Sequence, residues 1–430
     1  MKKNILVFPC GSEIGLDIYS SVKYSTHFHL IGASSVDDHG RFVYEDYIGD
    51  IPFSSHPDFI PVLKAIVKKR GVDAIYPAMD SVIALLKANE IELGCTVISS
   101  PKETTDICLS KSKTYQCLKD TIRVPEQFLA HEVHQFPVFL KPDIGYGAKG
   151  TAIVNDSESL ERQLKEENNT IILEYLPGEE YTVDCFTNRK RQLLYAAARK
   201  RNRIRGGISV NTSFTKDQAI FFDIAERINE KIHFKGAWFY QVKRDANGEL
   251  CLLEIASRLG GSSLLSRAVG VNLALMTLFD SFDCDVSVQM NSNYSVILDR
   301  ALDNRYHCDG LSYSTVYIDY DDCLILNKTS VNSVLIRFLF DCINKGKRIV
   351  LLTKHIGDLQ FELAHFRLDH LFDEVIHIQQ DQQKTDFIHS ANAIFIDDSF
   401  AEREVVRKNW GIPVFGPEMI DLLSDGLRTS

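Results

Sequence analysis

The sequence predicts a multidomain protein of the α/β and α+β classes, and three observations lead to that prediction. The chain has 430 residues, a length that allows about two to four domains. Towards both ends, short apolar runs alternate with amphipathic helical segments, which indicates parallel sheets joined by helical crossovers. The middle of the chain instead carries a glycine-rich turn and acidic hairpins, which are typical of antiparallel sheet.

The composition narrows the class of protein. Hydrophobic residues make up 45% of the chain and charged residues 25%, as is usual for a soluble globular protein. A net charge of −10 argues against nucleic acid as a partner. The 10 cysteines include no C-x-x-C pair, so neither a zinc site nor a disulfide framework is indicated. No apolar run reaches the length of a signal peptide or a membrane helix, and we expect a cytoplasmic protein with no membrane partner.

Residues 1–100 are predicted to form a first domain with a parallel sheet. The predicted strands and helices are, in order, 5–8, 12–24, 29–31, 59–70, 74–77, 81–89 and 96–99. The turn after the first strand, from Cys10 to Gly15, is similar to a Rossmann phosphate turn but lacks the G-x-G-x-x-G spacing. We interpret it as a tight strand-to-helix turn with close packing, and leave nucleotide binding there as the less favoured alternative.

A glycine-rich hairpin follows a lysine in the middle of the chain. Lys141 ends a short apolar strand, and residues 145–150 include Gly145, Gly147 and Lys149. Glycines let backbone N–H groups approach phosphate oxygens, and lysine adds a positive charge. Taken by itself, the pattern is more typical of an ordinary hairpin than of a phosphate site.

Two further hairpins carry acidic and amide side chains. An apolar strand ends at Glu174, continues through Tyr175 and Leu176 into a Pro-Gly turn, and leads to Glu180. Such a strand end can present backbone groups to an adenine edge and a carboxylate to ribose hydroxyls. Gln241 and Glu254 lie on the two arms of a later hairpin, where their oxygens can face one another and bind Mg²⁺. Solvated carboxylates remain the alternative for each hairpin.

In this order, and with Arg258 closing the last hairpin, these elements resemble the ATP-grasp superfamily. They are most similar to single-unit relatives of the carbamoyl-phosphate synthetase large subunit. The resemblance implies a Rossmann-like pre-ATP-grasp domain at residues 1–100 and an ATP-grasp fold at residues 101–297. It implies Lys113 and Lys141 for the nucleotide phosphates, residues 145–150 for a lid, Glu174, Tyr175 and Leu176 for adenine, Glu180 for ribose, Gln241 and Glu254 for Mg²⁺, and Arg258 for the transferred phosphate.

The resemblance also implies a reaction. ATP and Mg²⁺ would convert a small carboxylate substrate into an acyl phosphate, which a small amine substrate then attacks. Arg201 lies in a basic segment, residues 199–207, which is either a solvated surface or a loop that binds substrate and phosphate. Ala256 stands where the family's metal strand usually has a third ligand, so a degenerate ligase half that serves as a binding module is the alternative. Carbamoyl-phosphate synthesis is disfavoured, because one ATP-grasp unit is present without a glutaminase domain.

A second set of acidic residues follows the predicted strands of residues 313–430. Asp319 and Asp321 come directly after an apolar strand, Thr353 ends another strand, Lys384 lies in a loop, and Asp397 and Asp398 follow a third strand. Two carboxylates at a strand end can act as a nucleophile on phosphorus and as a proton donor to the leaving oxygen. Sites of open α/β sheets lie at the carboxyl ends of strands, although any one of these pieces is also typical of an ordinary loop.

Together these pieces resemble the haloacid-dehalogenase (HAD) superfamily. The resemblance implies a capless, Rossmannoid HAD-like phosphatase domain at residues 313–430. It implies Asp319 as nucleophile, Asp321 as general acid and base, Thr353 and Lys384 as phosphate ligands, and Asp319, Asp321, Asp397 and Asp398 around Mg²⁺. The gaps between these motifs hold about one crossover each, so we expect an uncapped site for a bulky phosphorylated substrate. The sequence therefore predicts a bifunctional enzyme and leaves an oligomer open.

Overall fold

The computed structural model describes residues 2–145, 149–166, 169–291, 294–301, 306 and 310–425. The chain divides into two compact units, Met1–Leu302 and Asp303–Ser430. Among the described residues, no helix is both long and apolar enough to cross a membrane.

The strands and helices are numbered here in chain order. The strands are β1 (Lys3–Phe8), β2 (Phe28–Ala33), β3 (Asp46–Ile48), β4 (Ala74–Pro77), β5 (Thr96–Val97), β6 (Gln127–Phe128), β7 (Val138–Pro142), β8 (Ala152–Val154), β9 (Thr170–Glu174), β10 (Glu180–Thr187), β11 (Leu193–Arg205), β12 (Ile208–Phe214), β13 (Gly236–Arg244), β14 (Leu250–Ala256), β15 (Ile297–Asp299), β16 (Thr315–Ile318), β17 (Ile325–Leu326), β18 (Ser330–Val331), β19 (Arg348–Thr353), β20 (Glu374–His377), β21 (Ala393–Ile396) and β22 (Val414–Phe415). The helices are α1 (Glu13–Val22), α2 (His39–Val43), α3 (Phe59–Arg70), α4 (Asp80–Ala88), α5 (Glu90–Leu93), α6 (Lys102–Leu109), α7 (Lys111–Leu118), α8 (Ser157–Glu166), α9 (Gln218–Lys231), α10 (Leu264–Ala268), α11 (Leu273–Ser281), α12 (Ser333–Asn344), α13 (Leu359–His365), α14 (Phe400–Trp410) and α15 (Ile420–Asp425).

The first unit begins with a parallel sheet in the order β3-β2-β1-β4-β5. The turn between β1 and α1 is as tight as the sequence predicts. A Cβ atom on Gly15 would lie 2.4 Å from the carbonyl oxygen of Cys10, so glycine is required for this close approach. The Asp38 carboxylate packs against Gly11 in the same turn, and an acidic side chain there opposes phosphate binding.

Two antiparallel sheets follow in the first unit. The smaller has the order β6-β9-β7-β8, and the larger has the order β14-β13-β10-β11-β12-β15. One face of the larger sheet packs its apolar side chains against α9, where Phe221, Ala225 and Ile228 are buried. This packing leaves the opposite face, with its alternate residues, available for polar side chains.

The second unit is built on a parallel sheet in the order β20-β19-β16-β21-β22. The central strand β16 is buried along its whole length, as is usual for a parallel sheet covered on both faces. Because β16, β19 and β21 are parallel neighbours, their carboxyl ends meet at one edge. Asp319, Thr353 and Asp397 all come to that edge.

Candidate functional site

A cavity of 320 Å³ lies in the first unit and is lined by both antiparallel sheets. Its apolar walls include Phe139, Leu173 and Leu253. Many of the residues that the sequence predicts for a nucleotide site line it, namely Lys141, Gly145, Lys149, Glu174, Tyr175, Leu176, Glu180, Arg201, Gln241 and Glu254. The structure therefore brings these side chains to one enclosed space.

Lys141 projects from β7 and is almost fully buried. Its Nζ donates a hydrogen bond to the carbonyl oxygen of Leu253 over 2.8 Å and lies 5.4 Å from the Tyr115 ring centroid. Burial lowers the pKa of Lys141 to about 8, although the nearby Glu254 carboxylate opposes that shift. The ammonium group thus has no carboxylate bonded to it among the described residues, and its charge is available to an anion.

The second lysine that lines the cavity is Lys111, whereas Lys113, the lysine predicted for the nucleotide phosphates, is not among the lining residues. Lys111 is buried, lines the cavity and donates to the carbonyl oxygens of Asp143 and Gly145. Lys113 is exposed and lies outside the cavity lining. The reason is helix geometry: both residues are in α7, and positions two apart lie about 200° apart around a helix.

Asp143 fixes the start of the glycine-rich segment to α7. Its carboxylate accepts hydrogen bonds from the Ser110 hydroxyl and the Ser112 backbone N–H, each over 2.7 Å. Because Ser110 is also the N-cap of α7, this contact joins the helix that carries Lys111 to the segment containing Gly145. Gly147, predicted for the same segment, lies outside the described residues.

The Glu174 carboxylate is already engaged at the end of β9. Arg123 donates to its two oxygens over 2.7 and 2.9 Å, and the backbone N–H of Glu126 donates over 2.9 Å. Tyr175 and Leu176 follow directly and line the cavity. The Glu174 carboxylate is therefore already bonded within the protein, whereas the backbone of residues 174–176 can contact a ligand in the cavity.

The polar side chains of the larger sheet form a continuous row. Gln241 and Glu254 lie opposite one another in the β13–β14 pairing, and Thr182 lies opposite Gln241 in the β10–β13 pairing. Arg201 contacts the Glu180 carboxylate and donates to Gln241 Oε1 over 2.9 Å. The amide and carboxylate oxygens of Gln241 and Glu254 are the ligand type that Mg²⁺ prefers.

Arg258 is not among the residues that line this cavity, and its contact with the transferred phosphate stays a prediction. Its guanidinium makes two hydrogen bonds to Asp80, of 2.9 and 2.7 Å, and lies 5.2 Å from the Phe239 ring centroid. A carboxylate that accepts hydrogen bonds from two nitrogen atoms of a guanidinium group offsets the positive charge of that group. Arg258 is therefore joined to the N-terminal part of the unit. Although burial opposes its charged form, the carboxylates of Asp80 and Glu254 raise the pKa of Arg258, so it also lies near the Gln241–Glu254 pair.

A second cavity, of 330 Å³, lies at the carboxyl edge of the parallel sheet in the second unit. Asp319, Asp321, Thr353, Lys384 and Asp397 all line it. Lys384 Nζ lies 2.8 Å from Asp319 Oδ1 and 2.6 Å from Asp397 Oδ2. Although burial opposes its charged form, these carboxylates outweigh that effect and raise the pKa of Lys384.

Three carboxylates at this edge of the sheet are close enough to share a cation. Asp319, Asp397 and Asp398 each offer an oxygen, and these oxygens lie within 4.8 Å of one another. Burial and then the charge of Asp319 raise the pKa of Asp397 to about 6. Crowded carboxylates of this kind fit a hard divalent cation, which reduces their mutual repulsion.

Asp321 belongs to a different group, so its prediction as a metal ligand is not supported by its contacts. Its two carboxylate oxygens lie 3.1 and 3.0 Å from Nδ1 of His355. His355 is buried, and its Nε2 lies 3.2 Å from a Glu362 oxygen, while the Tyr320 hydroxyl donates to the other Glu362 oxygen. His355 is not among the residues predicted from the sequence, where its only signal is its place two residues after Thr353.

Comparisons with known proteins bear on the first unit. The family model described as "ATP-grasp in the biosynthetic pathway with Ter operon" matches residues 166–298. The chain is 25% identical to D-alanine–D-alanine ligase of Thermotoga petrophila over 140 residues, which are 30% of this chain and 46% of that enzyme. It is 29% identical over 182 residues to the enzyme of the same name from Fusobacterium nucleatum, covering 39% and 62% of the two chains. The chain thus spans about half the length of these curated relatives.

Solved structures share the fold. The biotin carboxylase–βγ-ATP complex from Campylobacter jejuni superposes with a TM-score of 0.59 at 17% identity, covering 69% of this chain and 75% of that chain. N5-carboxyaminoimidazole synthetase from Staphylococcus aureus, complexed with ADP, gives a TM-score of 0.59 at 16% identity, covering 70% and 83%.

The first unit contains an ATP-grasp domain. Within the ATP-grasp domain, the cavity between the two antiparallel sheets holds the predicted lysine, hinge and Gln/Glu pair. Ala256 lies two residues after Glu254, opposite Phe239, so the position where a third metal ligand is expected carries only a methyl group.

Proposed function

We propose that the first unit is an ATP- and Mg²⁺-dependent carboxylate–amine ligase. The observation that carries the proposal is the cavity of the ATP-grasp domain, where Lys141 and Lys111 face Glu180, Gln241 and Glu254. Its apolar walls suit a nucleobase and its lysines suit phosphates. The names of the curated relatives, which are ligases that join D-alanine to D-alanine, agree with this reaction class.

The proposed reaction has two steps. A carboxylate oxygen of the substrate attacks the γ-phosphorus, the bond to the ADP oxygen breaks, and an acyl phosphate forms. The nitrogen of an amine then attacks the acyl carbon, phosphate leaves, and the amine loses a proton to give an amide. Lys141 and Lys111 bind and orient the phosphates, and Gln241 and Glu254 would hold Mg²⁺, which would offset the charge of the phosphates.

ADP release tests this function. We expect the full chain to release ADP only when a suitable acid and amine are both present, and Glu254→Ala to reduce turnover by about 100-fold or more because one metal ligand is lost. Glu230→Ala, on the exposed face of α9, is the matched control and should keep full activity. Unchanged turnover in Glu254→Ala would refute the metal assignment.

We further propose that the second unit is a HAD-type phosphatase. Asp319 ends the central strand, and its carboxylate lies beside those of Asp397 and Asp398 and beside Lys384. In the proposed reaction, an Asp319 oxygen attacks phosphorus while Asp321 protonates the leaving oxygen. Asp321 then takes a proton from water, which attacks phosphorus and releases phosphate from Asp319. Mg²⁺ on the carboxylate cluster would offset the phosphate charge.

Asp319→Asn tests this second activity. We expect it to abolish release of phosphate from phosphomonoesters and to leave ADP release by the ligase intact. Asp369→Asn, on an exposed loop, is the control. Because the gaps between the motifs leave no room for a cap, large phosphorylated conjugates should be better substrates than small sugar phosphates, and the reverse preference would contradict an uncapped site.

Ala256 favours a second candidate function for the first unit. With a methyl group at the place of a metal ligand, the ATP-grasp domain would bind nucleotide without completing the transfer, and the second unit would be the active half. The same ADP assay separates the two functions, because a binding module binds ATP but releases no ADP with any pair of acid and amine.

A further inference from the structure

His355 is a buried side chain of the second cavity that the proposed phosphatase reaction does not use. It lines this cavity together with Asp321 and Thr353, although only 3% of its side chain is exposed. The side chain of Asp321, in contrast, is 40% exposed. A substrate in the cavity can therefore reach the carboxyl group of Asp321, whereas the imidazole of His355 is covered.

The imidazole of His355 is hydrogen-bonded to the carboxylate of Asp321. Its Nδ1 lies 3.1 and 3.0 Å from the two carboxylate oxygens. Because an ionised carboxylate only accepts hydrogen bonds, the hydrogen of this contact belongs to Nδ1, which donates it. Both oxygens are within reach of this one N–H group, so either of them can accept while the other carries a proton. The contact can therefore persist whether Asp321 is protonated or ionised.

The rest of the ring is restrained by packing. The Tyr320 ring lies 5.0 Å from it, edge to face, and the Tyr320 hydroxyl donates to Glu362 over 3.0 Å. Nε2 of His355 lies 3.2 Å from the other Glu362 oxygen but makes no hydrogen bond among the described residues. A Cβ atom on Gly357 would lie 3.0 Å from Nε2, so glycine leaves room for the ring. The directed hydrogen bond of the imidazole is therefore the one to Asp321.

The backbone of His355 is bonded to the carboxyl end of β19. Its N–H donates to Thr353 Oγ1 over 3.2 Å, and its C=O accepts from His377 Nε2 over 2.7 Å. Thr353 is the predicted phosphate ligand, and β19 is the parallel neighbour of β16. His355 thus connects the strand end predicted to bind the phosphate with the segment after β16 that carries Asp321.

We infer that His355 is a positioning residue for the general acid of the proposed phosphatase. Its Nδ1–H group holds one oxygen of Asp321, so that the protonated oxygen of this carboxyl group faces the leaving oxygen of the substrate. As an Asp319 oxygen bonds to phosphorus, the bond from phosphorus to the leaving oxygen breaks, and the Asp321 proton moves onto that oxygen. The ionised Asp321 keeps the same contact and then takes a proton from the attacking water. This inference rests on the proposed phosphatase function.

Two substrates that differ in their leaving group test this role. p-Nitrophenolate leaves without a proton, whereas the alkoxide of benzyl phosphate needs one, so only the second reaction depends on a well-placed acid. The full chain is assayed with Mg²⁺ and each ester. The two values of kcat/KM are compared, because kcat/KM covers the steps up to release of the leaving group and omits hydrolysis of the phosphoenzyme.

Removal of the imidazole should affect the two esters unequally. We expect His355→Ala to lower kcat/KM for benzyl phosphate by about 100-fold, as when an acid catalyst is lost, and for p-nitrophenyl phosphate by less than about threefold. The ratio of the two constants does not depend on the fraction of protein that is folded. An equal fall with both esters, or no fall with either, overturns the inference. His370→Ala, whose side chain is 95% exposed, is the control and should change neither constant.

Conservative variants locate the contact that matters. The amide nitrogen of asparagine can take the place of Nδ1 and donate to Asp321, whereas that of glutamine takes the place of Nε2, on the Glu362 side. We expect His355→Asn to recover about tenfold of the loss with benzyl phosphate, the effect of one hydrogen bond to a charged group, and His355→Gln to recover none. Recovery by glutamine alone, or by neither variant, contradicts the role. If His355→Ala does not fold, these two variants decide.

The outcomes separate this role from the phosphatase function. If the unmodified chain releases phosphate from neither ester, the phosphatase function fails and this inference fails with it. If the unmodified chain hydrolyses both esters, Asp319→Asn abolishes both reactions and His355→Ala lowers both alike, the phosphatase function stands and the role of His355 fails.

Discussion

The two cavities hold their lysines in opposite ways. In the ATP-grasp domain, Lys141 and Lys111 bond to backbone carbonyl oxygens, which have no net charge. In the second unit, Lys384 lies between the carboxylates of Asp319 and Asp397. The first cavity therefore offers positive charge to an anion directly, whereas the second is negative until a cation is added. Lys141, near the end of β7, and Lys384, in the segment between β20 and β21, therefore have different electrostatic roles.

Removal of Mg²⁺ should give the largest difference in anion binding between the two cavities. With EDTA, we expect orthovanadate binding at the second cavity to fall about 100-fold or more, because a multiply charged anion then faces uncompensated carboxylates. Binding of the ATP analogue at the first cavity should fall by about tenfold, since its lysines still attract phosphate. Calorimetry measures both, with saturating ATP analogue present during the vanadate titration. Metal-independent vanadate binding would contradict the comparison.

Replacing Lys384 or Lys141 by methionine should lower the free energy of unfolding by different amounts. Lys384→Met leaves Asp319 and Asp397 buried without their cation, so the free energy of unfolding of the second unit should fall by about 3–5 kcal/mol. Lys141→Met should change the first unit by about 1 kcal/mol, because only a hydrogen bond to a carbonyl is lost.

Urea unfolding followed by tryptophan fluorescence measures the two units separately. Trp238 lies in the first unit and Trp410 in the second, so Trp→Phe replacements isolate each signal. Added Mg²⁺ should recover part of the stability of Lys384→Met and none of that of Lys141→Met. Equal losses in the two variants would argue against the contrast.

The pH dependence of ligand affinity should also differ between the cavity of Lys141 and the cavity of Lys384. Burial lowers the pKa of Lys141 to about 8, so this amine is charged below pH 8 and loses its proton as the pH rises through that value. Phosphate binding favours the charged form, and affinity for the ATP analogue should therefore fall by up to about tenfold from pH 8 to pH 9.

Proton uptake is the direct measurement of this effect. Calorimetry at pH 9, in two buffers that differ in ionisation enthalpy, should show proton uptake on nucleotide binding. Lys141→Arg is the control, because arginine keeps its charge at pH 9, and the uptake should disappear in it. The pKa of Lys384 is raised, so vanadate binding should show no such change in this range.

The smallest effect is expected at Ala256. Ala256→Asn adds an amide oxygen two residues after Glu254, on the same face of β14. We expect the Mg²⁺ concentration for half-maximal nucleotide binding to fall by about two- to fivefold. A titration with Mg²⁺ at fixed ATP analogue measures it, and a rise in the required concentration would show that the position does not reach the ion.

Local patterns predicted much of the fold. The helix α3 and the strand β4 have the bounds expected from the sequence, since Gly71, at a φ of 57°, ends the helix. Other elements are shorter than predicted. The helix α1 begins after its N-cap Ser12 and ends at Val22, and the strand β5 ends at Val97. It was predictable that Gln241 and Glu254 lie opposite one another, because one hairpin joins their strands and successive side chains of a strand alternate between the two faces of the sheet.

Contacts between distant segments were not predictable in the same way. Lys111 was not predicted as a phosphate ligand because the sequence alone did not show which face of α7 lies towards the cavity. Arg258 pairs with Asp80, which is 178 residues away, and nothing local indicates that contact. His355 reaches Asp321 because β19 lies beside β16, an arrangement that follows from sheet order and not from either loop.

The salt bridge between Arg123 and Glu174 has a consequence for base selection. In the proposed nucleotide site, the Glu174 carboxylate at the end of β9 is already bonded three times, so discrimination between adenine and guanine would fall to main-chain N–H and C=O groups. Main-chain groups do not change when a residue is substituted. The preference for one nucleoside triphosphate over another should therefore resist point mutation at this strand end.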